Sequence, residues 1–292
     1  MGRIEKYAFE YKEFIEYRLH SKEERKYKSS TDNDRSFTGT SSIEEADKIA
    51  MCIKEWKAGK KMLEELRDSC PEMFRPRIEG LALQFHYDVA GCMVDVGRYL
   101  DGEPECMVDF IISDSEKEGK IVDIYYEFTN NCGTDSKDMM SYGIAVLALV
   151  DDLESRGFSC NIYAVGTTCE GSVDEITTIT IKKAGEALNV EAIMYAFHSS
   201  FFRRHWFAFH ERKPYCQPGY GRSEKPTKYN NEDVMAYFND NPKRSFLIPP
   251  VSTLGKGESP IQYYEKIKGK VENQMEEIDN GNIPQPKDKF KY

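Results

Sequence analysis

The sequence has no apolar run long enough to cross a membrane. Its longest apolar stretch, Ile144 to Val150, is the length of part of one helix, whereas a membrane-spanning helix needs about twenty apolar residues in succession. The first residues alternate charged and aromatic side chains and lack the apolar segment of a secretory signal. We therefore expect a soluble protein of the cytoplasm.

Motifs of cofactor and metal binding are also missing. The eight cysteines form no CxxC pair and have no histidine at zinc-finger spacing. The chain lacks the glycine spacing of a dinucleotide fingerprint and a Gly-Lys-Ser/Thr phosphate loop, and its five histidines include no HExxH. We expect no cofactor, no zinc and no complete enzyme active site.

Positive charge is in deficit. The chain has 40 Lys and Arg against 50 Asp and Glu, which gives a formal net charge of −10 and an isoelectric point near 5.2. Because phosphate groups are held by clustered Lys and Arg, this balance argues against nucleic acid and anionic membranes as partners. It favours a basic or neutral protein partner.

The most regular part of the sequence predicts an α/β core. A β-branched and aromatic strand is followed by a polar loop, an apolar helix and a second strand, the order of a parallel βαβ unit. A further strand and helix extend it. The predicted elements are the strands 121–128, 159–165 and 176–182 and the helices 138–156 and 190–198. Together they indicate a Rossmann-like three-layer core with a mostly parallel sheet.

The remaining chain is predicted to flank this core. We divide it into an N-terminal segment (1–36) that is either an arm or an edge element, an accessory α+β segment (37–118), the core (119–211) and a loop-rich C-terminal extension (212–292). In the accessory segment, Ser41 or Ser42 followed by Glu44 or Glu45 indicates a capped helix start. The extension contains a short apolar strand at 246–248 and a charged helix from Pro260 to about residue 278.

The polar loop after the first core strand is the first candidate site, because ligands of parallel sheets bind beyond the carboxyl ends of the strands. Its candidate binding residues are Asn130, Asn131 and Asp135. An adhesion-type metal site would need Asp-x-Ser-x-Ser here, and the loop has no acid at the first position. We expect no metal; Asp135 and Asp138 are the nearest carboxylates that could hold one.

A basic-aromatic cluster, Arg203-Arg204-His205-Trp206, is the second candidate binding site. Arg and Trp are favoured anchors at protein interfaces. The same run also fits a helix end, where cations face the negative pole of the helix dipole. A third local pair, Asp95 and Arg98, could form an ion pair or hold a loop.

The core segments Ile121–Phe128, Met139–Ala145, Leu153–Gly157 and Ile162–Val165 occur in an order that resembles a von Willebrand factor A-like core. With the further segments Phe37–Ser42, Asp88–Gly91, Val94–Arg98, Gly102–Met107 and Phe202–His205, the pattern resembles an uncharacterised family carried by bacteriophages and prophages. The resemblance covers roughly residues 37 to 211. Related A-like domains are generally protein-binding modules. The resemblance therefore implies a protein that binds a host or phage protein complex in the host cytoplasm.

Three functional hypotheses follow. The first is a non-catalytic binding protein, for which an inhibitor of a host antiviral defence complex such as Gabija is one candidate. The second is a metal-dependent hydrolase or nuclease that uses Glu127, Asp135 and Asp138 at the strand ends, with Lys182 as a further member of a loose nuclease pattern. The third is a virion or assembly component. Self-association stays open under each of them.

Overall fold

The computed structural model describes residues 3–21, 25–51, 61, 84–90, 93–111, 121–155, 158–170, 173–186, 190–216 and 245–279. The strands are β1 (Arg3–Glu10), β2 (Gln84–Asp88), β3 (Met93–Val94), β4 (Met107–Ile111), β5 (Ile121–Glu127), β6 (Ser159–Glu170), β7 (Val173–Lys182) and β8 (Ser245–Ile248). The helices are α1 (Tyr11–Ser21), α2 (Arg35–Thr38), α3 (Ile43–Met51), α4 (Val96–Leu100), α5 (Ser136–Ser155), α6 (Val190–Phe197), a π-helix (Phe201–Trp206), α7 (Phe207–His210), α8 (Val251–Leu254) and α9 (Pro260–Asp279).

The main sheet has five strands in the order β1-β7-β6-β5-β8. Strands β5 and β6 are parallel and joined through α5, as the sequence predicts, and β8 and β1 also pair in parallel with β5 and β7. Strands β6 and β7 are antiparallel, because only two residues separate them and a parallel crossover needs a dozen or more. The fold is thus α/β with a mostly parallel sheet, consistent with a Rossmann-like architecture.

One face of this sheet carries the hydrophobic core. In β5 the side chains of Val122, Ile124 and Tyr126 point to that face and join one buried cluster with α1, α5, α6 and α9. Helix α5 is buried over most of its surface, as predicted, and contacts β6, α6 and α9. On the opposite face Tyr125 stacks on Tyr163. The second helical layer of the three-layer core stays a prediction.

Both flanking segments contribute to the core sheet. Strand β1 forms one edge, and Phe14 and Ile15 of α1 are buried in the core cluster, so residues 3–21 take the second of the two predicted forms, an edge element rather than an arm. Strand β8 forms the other edge, and α9 packs on α5. The predicted strand and charged helix of the extension are confirmed. No described helix is both long and apolar enough to cross a bilayer.

A separate three-stranded antiparallel sheet, β2-β4-β3, accounts for the middle of the accessory segment. Helix α4 follows β3 and begins at Asp95, whose carboxylate accepts hydrogen bonds from the backbone N–H groups of Gly97 (3.0 Å) and Arg98 (3.2 Å). The Arg98 guanidinium pairs with Glu103 (3.2 Å) and lies over the Tyr87 ring. Asp95 and Arg98 therefore stabilise the helix, rather than pairing with each other.

The capped start predicted for α3 is confirmed. Ser42 Oγ accepts from the Glu45 N–H (3.2 Å), as the N-cap of a capping box does, and the Glu45 carboxylate accepts from the N–H of Ser41 (2.8 Å), one residue before the N-cap. The sequence also predicts that this helix continues to about Trp56 and that a second helix runs to about Ser69; both of these parts lie outside the described residues.

Candidate functional site

The loop after β5 is held in place by its own asparagines. Asn130 is buried; its side-chain amide donates to the Phe128 carbonyl (3.0 Å), and its oxygen accepts from the Ser252 N–H (3.2 Å). The Asn131 side-chain oxygen accepts from the Gly133 N–H and the Thr134 hydroxyl, both at 3.1 Å. Both predicted binding residues therefore fix the shape of the loop.

The carboxylates near this loop are dispersed. Asp135 is exposed at the start of α5, whereas Asp138 is buried and accepts from the Gly257 N–H (3.0 Å). Glu127 is buried and accepts from the hydroxyls of Thr129 (2.9 Å) and Thr167 (2.6 Å). Among the described residues, no group of three or more His, Cys, Asp or Glu side chains is arranged to hold a metal ion.

Lys182 lies at the other end of the sheet from Glu127. Its ammonium group donates to Glu154 (2.7 Å) and to the Cys160 carbonyl (3.2 Å), near the start of β6, whereas Glu127 pairs in register with Val165. The loose nuclease pattern of Glu127 and Lys182 is therefore not assembled in the fold.

The basic-aromatic cluster lies inside the molecule, on the π-helix. All four side chains, Arg203 to Trp206, are at most 5% exposed. The Arg203 guanidinium donates to the carbonyls of Phe37 (2.6 Å), Asn131 (3.1 Å) and Thr134 (2.7 Å), and burial lowers its pKa to about 10. It thus joins the 37–42 segment to the loop after β5, and its burial argues against direct contact with a partner.

Arg204 binds the 32–40 segment. Its guanidinium donates to the hydroxyls of Thr38 (3.1 Å) and Thr40 (2.6 Å) and to the carbonyls of Asp32 and Thr40, both at 2.7 Å. Ser200 reinforces this contact by donating its hydroxyl to the Thr38 carbonyl (2.6 Å). The two motifs of the phage-family resemblance, 37–42 and 202–205, therefore meet in one buried polar junction.

The next two side chains of the π-helix also stay inside. His205 lies between the Asp47 carboxylate (2.8 Å) on α3 and the Tyr195 hydroxyl (3.1 Å) on α6, and burial lowers its pKa. Trp206 stacks on His210, with ring centroids 4.8 Å apart. His210 in turn contacts Glu175 (2.9 Å), and both side chains are fully buried. The predicted interface anchors are thus interior packing and hydrogen-bonding residues.

A cavity of about 270 Å³ opens beside Arg204. It lies between residues 25–33 and the first turn of α3, and its lining includes the cations Arg25, Lys28 and Arg204 and the anions Asp32 and Glu44. The pKa of Glu44 is lowered by hydrogen bonds from Ser42 and its own backbone N–H. The sequence offers no signal for this cavity, because Arg204 is at least 160 residues away from every other residue of its lining.

Five of the exposed large apolar side chains of the described residues lie in one short segment around α4. We call them the apolar surface: Val89 (68% exposed), Val94 (47%), Val96 (63%), Tyr99 (64%) and Leu100 (76%). Residues 96, 99 and 100 have the spacing of one helix face. Sequence reasoning placed this segment against the core as an accessory layer and so missed its exposure.

The sheet topology is that of an α/β protein, consistent with a Rossmann-like fold, in which β1 and β8 form the two edges of the sheet. The chain belongs to the family described as a domain of unknown function, DUF7192, whose sequence pattern matches residues 4–268. This range runs from β1 into α9, so the family's unit includes both flanking segments. No curated protein and no solved structure matches the chain.

Proposed function

We propose that this chain is a protein-binding module that contacts its partner through the apolar surface. The observation that carries the proposal is that α4 is held by polar contacts while its apolar side chains are exposed. Polar contacts from Asp95 and Arg98 fix the helix, while Val96, Tyr99 and Leu100 are left in solvent. Exposed apolar groups rimmed by polar residues mark interaction sites in proteins.

Burial of this surface by a partner would supply substantial binding free energy. Covering one large apolar side chain contributes about 1.5–3 kcal/mol, and Tyr is among the residues enriched at energetic hot spots. Tyr99 and Leu100, the two most exposed side chains of α4, are therefore the expected anchors.

The charges around the apolar surface indicate the chemistry of the partner. Asp88, Asp101, Glu103 and Glu105 are exposed beside it, and Arg98 is already occupied by Glu103. An acidic rim favours a partner surface with an apolar centre framed by Lys and Arg. It disfavours a second copy of this chain, which would bring like charges together on a protein of net charge −10.

The partner that we propose is a protein complex of a bacterial host, and an antiviral defence complex such as Gabija is one candidate. Its support is the resemblance of residues 37–211 to a family of bacteriophages and prophages. The hydrolase alternative needs a group of side chains that can hold a metal ion. The described residues contain no group of three or more His, Cys, Asp or Glu side chains of this kind.

The test compares surface variants in affinity purification from the bacterial host. Tyr99→Ala with Leu100→Ser is expected to reduce the amount of a stoichiometric co-purifying protein by more than about tenfold, since two anchors are lost. The matched control, Tyr17→Ala with Ile261→Ser, removes exposed apolar groups from α1 and α9 and should retain the partner. Equal retention by both variants, at equal thermal stability, would refute the proposal.

A further inference from the structure

Arg204 is a buried cation that forms no ion pair with a carboxylate of the described residues. Its side chain is 5% exposed, and the hydrogen bonds that it makes to described residues go to hydroxyls and carbonyls. Burial is the main cause that lowers its pKa. A buried charge is costly unless it is compensated, so this position favours an anion in direct contact.

Arg204 lines the cavity and keeps one nitrogen, Nη1, without a hydrogen bond to a described residue. Nε and Nη2 make all of its hydrogen bonds within the described part of the chain, which leaves Nη1 available on a side chain that lines the cavity wall. A guanidinium presents its donors in a fixed fork, so the orientation of Nη1 is set by the four bonds already made.

Other groups of the cavity complement this donor. Lys28, the hydroxyls of Ser29 and Ser42, and the first turn of the nine-residue helix α3 line the same space. Cations, hydroxyls and helix N-terminal N–H groups are the groups that hold phosphate in proteins.

The two acidic groups of the cavity have different roles. The Asp32 carboxylate is neutralised, because it accepts from Arg25 (2.5 Å) and from the Ser29 N–H (2.7 Å). Glu44 is exposed, and its lowered pKa keeps it charged. It can accept hydrogen bonds from hydroxyl groups at the other end of a ligand.

We propose that this cavity binds a small phosphorylated molecule, with the phosphate on Arg204 and Lys28 and a hydroxyl-bearing portion towards Glu44. The volume of about 270 Å³ is close to the lower limit of ligand pockets and suits a sugar phosphate better than a dinucleotide. The site is independent of the apolar surface, so either proposal can fail without the other.

The experiment measures binding of inorganic phosphate, ribose 5-phosphate and ribose to the full chain by calorimetry at constant ionic strength. Both phosphates should bind saturably and ribose should not. Lys28→Ala should weaken phosphate binding about three- to tenfold, the effect of one charge contact. Glu44→Gln should strengthen it, because a repulsive charge is removed.

The control is Lys26→Ala, which removes a nearby exposed lysine that does not line the cavity. Its affinity for phosphate should equal that of the unmodified chain. The proposal is overturned if Lys26→Ala and Lys28→Ala weaken binding equally, if ribose binds as well as ribose 5-phosphate, or if neither phosphate saturates by about 10 mM, weaker than a millimolar Kd.

Discussion

Gly39 lies in the polar junction, where the end of α2 packs closely against Ser199 and His198. It ends α2 with a φ of +76°, and a Cβ placed there would lie 2.4 Å from Ser199 Oγ and 2.5 Å from a ring carbon of His198. A glycine is therefore needed both for its backbone conformation and for space.

The substitution Gly39→Ala should lower the free energy of unfolding by about 3 kcal/mol or more, the sum of a left-handed backbone and a steric overlap. Urea denaturation measures the effect. Gly185→Ala is the matched control: its φ is +83° and nothing lies within 4 Å of the added Cβ, so it should cost only about 1 kcal/mol. Equal costs would show that the junction yields to the methyl group.

Burial of His198 predicts a loss of stability in acid. Desolvation lowers its pKa from 6.5 to about 4. As the pH falls below 6.5, the unfolded chain binds a proton before the folded one does, so the unfolded state is favoured. The free energy of unfolding should fall by about 2 kcal/mol from about pH 7 to about pH 5 through this group.

Denaturation of a His198→Asn variant at both pH values tests whether His198 causes the loss of stability in acid. Asn keeps an acceptor for the Ser200 N–H, which His198 Nδ1 accepts at 3.2 Å, but does not titrate. Its loss of stability in acid should be smaller than that of the unmodified chain. His20→Asn, a change of an exposed histidine, serves as the control and should keep the full loss. The same slope in all three proteins would contradict the assignment.

At this scale the sequence shows which residues are unusual but not where they lie. Arg203 and Arg204 stand out beside aromatic residues, and surface exposure is the usual state of arginine. Their burial depends on carbonyls and hydroxyls near residues 38 and 131, which are remote in sequence. The caps at Ser42 and Asp95 involve only neighbours within a few residues and are therefore much easier to predict.

The π-helix is the element that assembles the polar junction. Such helices are rare and frequently occur at functional sites. Here three successive side chains reach three different segments: Arg203 the loop after β5, Arg204 the 32–40 segment, and His205 the middle of α3. The element therefore connects the core to the chain that precedes it.

Arg203→Lys should lower the free energy of unfolding by about 3 kcal/mol. An ammonium group cannot replace the guanidinium fork, so buried carbonyls of Phe37, Asn131 and Thr134 lose their donor. Arg35→Lys changes an arginine whose side chain is 62% exposed and should cost less than about 1 kcal/mol. Thermal or urea denaturation distinguishes the two; similar costs would mean that the fork is not needed.

The elements that the sequence predicts well are those whose hydrophobic pattern is contained within the element itself. The buried helix α5 and the strands β5 and β6 are of this kind. Strand β1 is not: its residues mix strand-like and helix-like spacing, and its partner β7 lies about 170 residues away. Pairing at that distance leaves no local pattern in the sequence.

At the scale of the whole molecule, the ends of the chain complete the sheet. A chain that begins at residue 25 would lack β1, which pairs with β7, and α1, which contributes Phe14 to the buried core. We expect it to lose cooperative thermal unfolding. A chain that ends at Asp279 keeps every described element and should retain the transition. Cooperative unfolding of the first truncation at the original temperature would contradict this account of the fold.

The central claim is that the apolar surface is where a basic protein partner binds. Site-specific photo-crosslinking tests it most directly, with a photoreactive phenylalanine analogue at position 99 and, as the control, at position 17 on α1. We predict one covalent adduct from position 99 with a host protein whose contact surface carries Lys or Arg, absent from position 17 and lost with Leu100→Ser. Equal adducts at both positions, or an adduct of position 99 with a second copy of the chain alone, would contradict the claim.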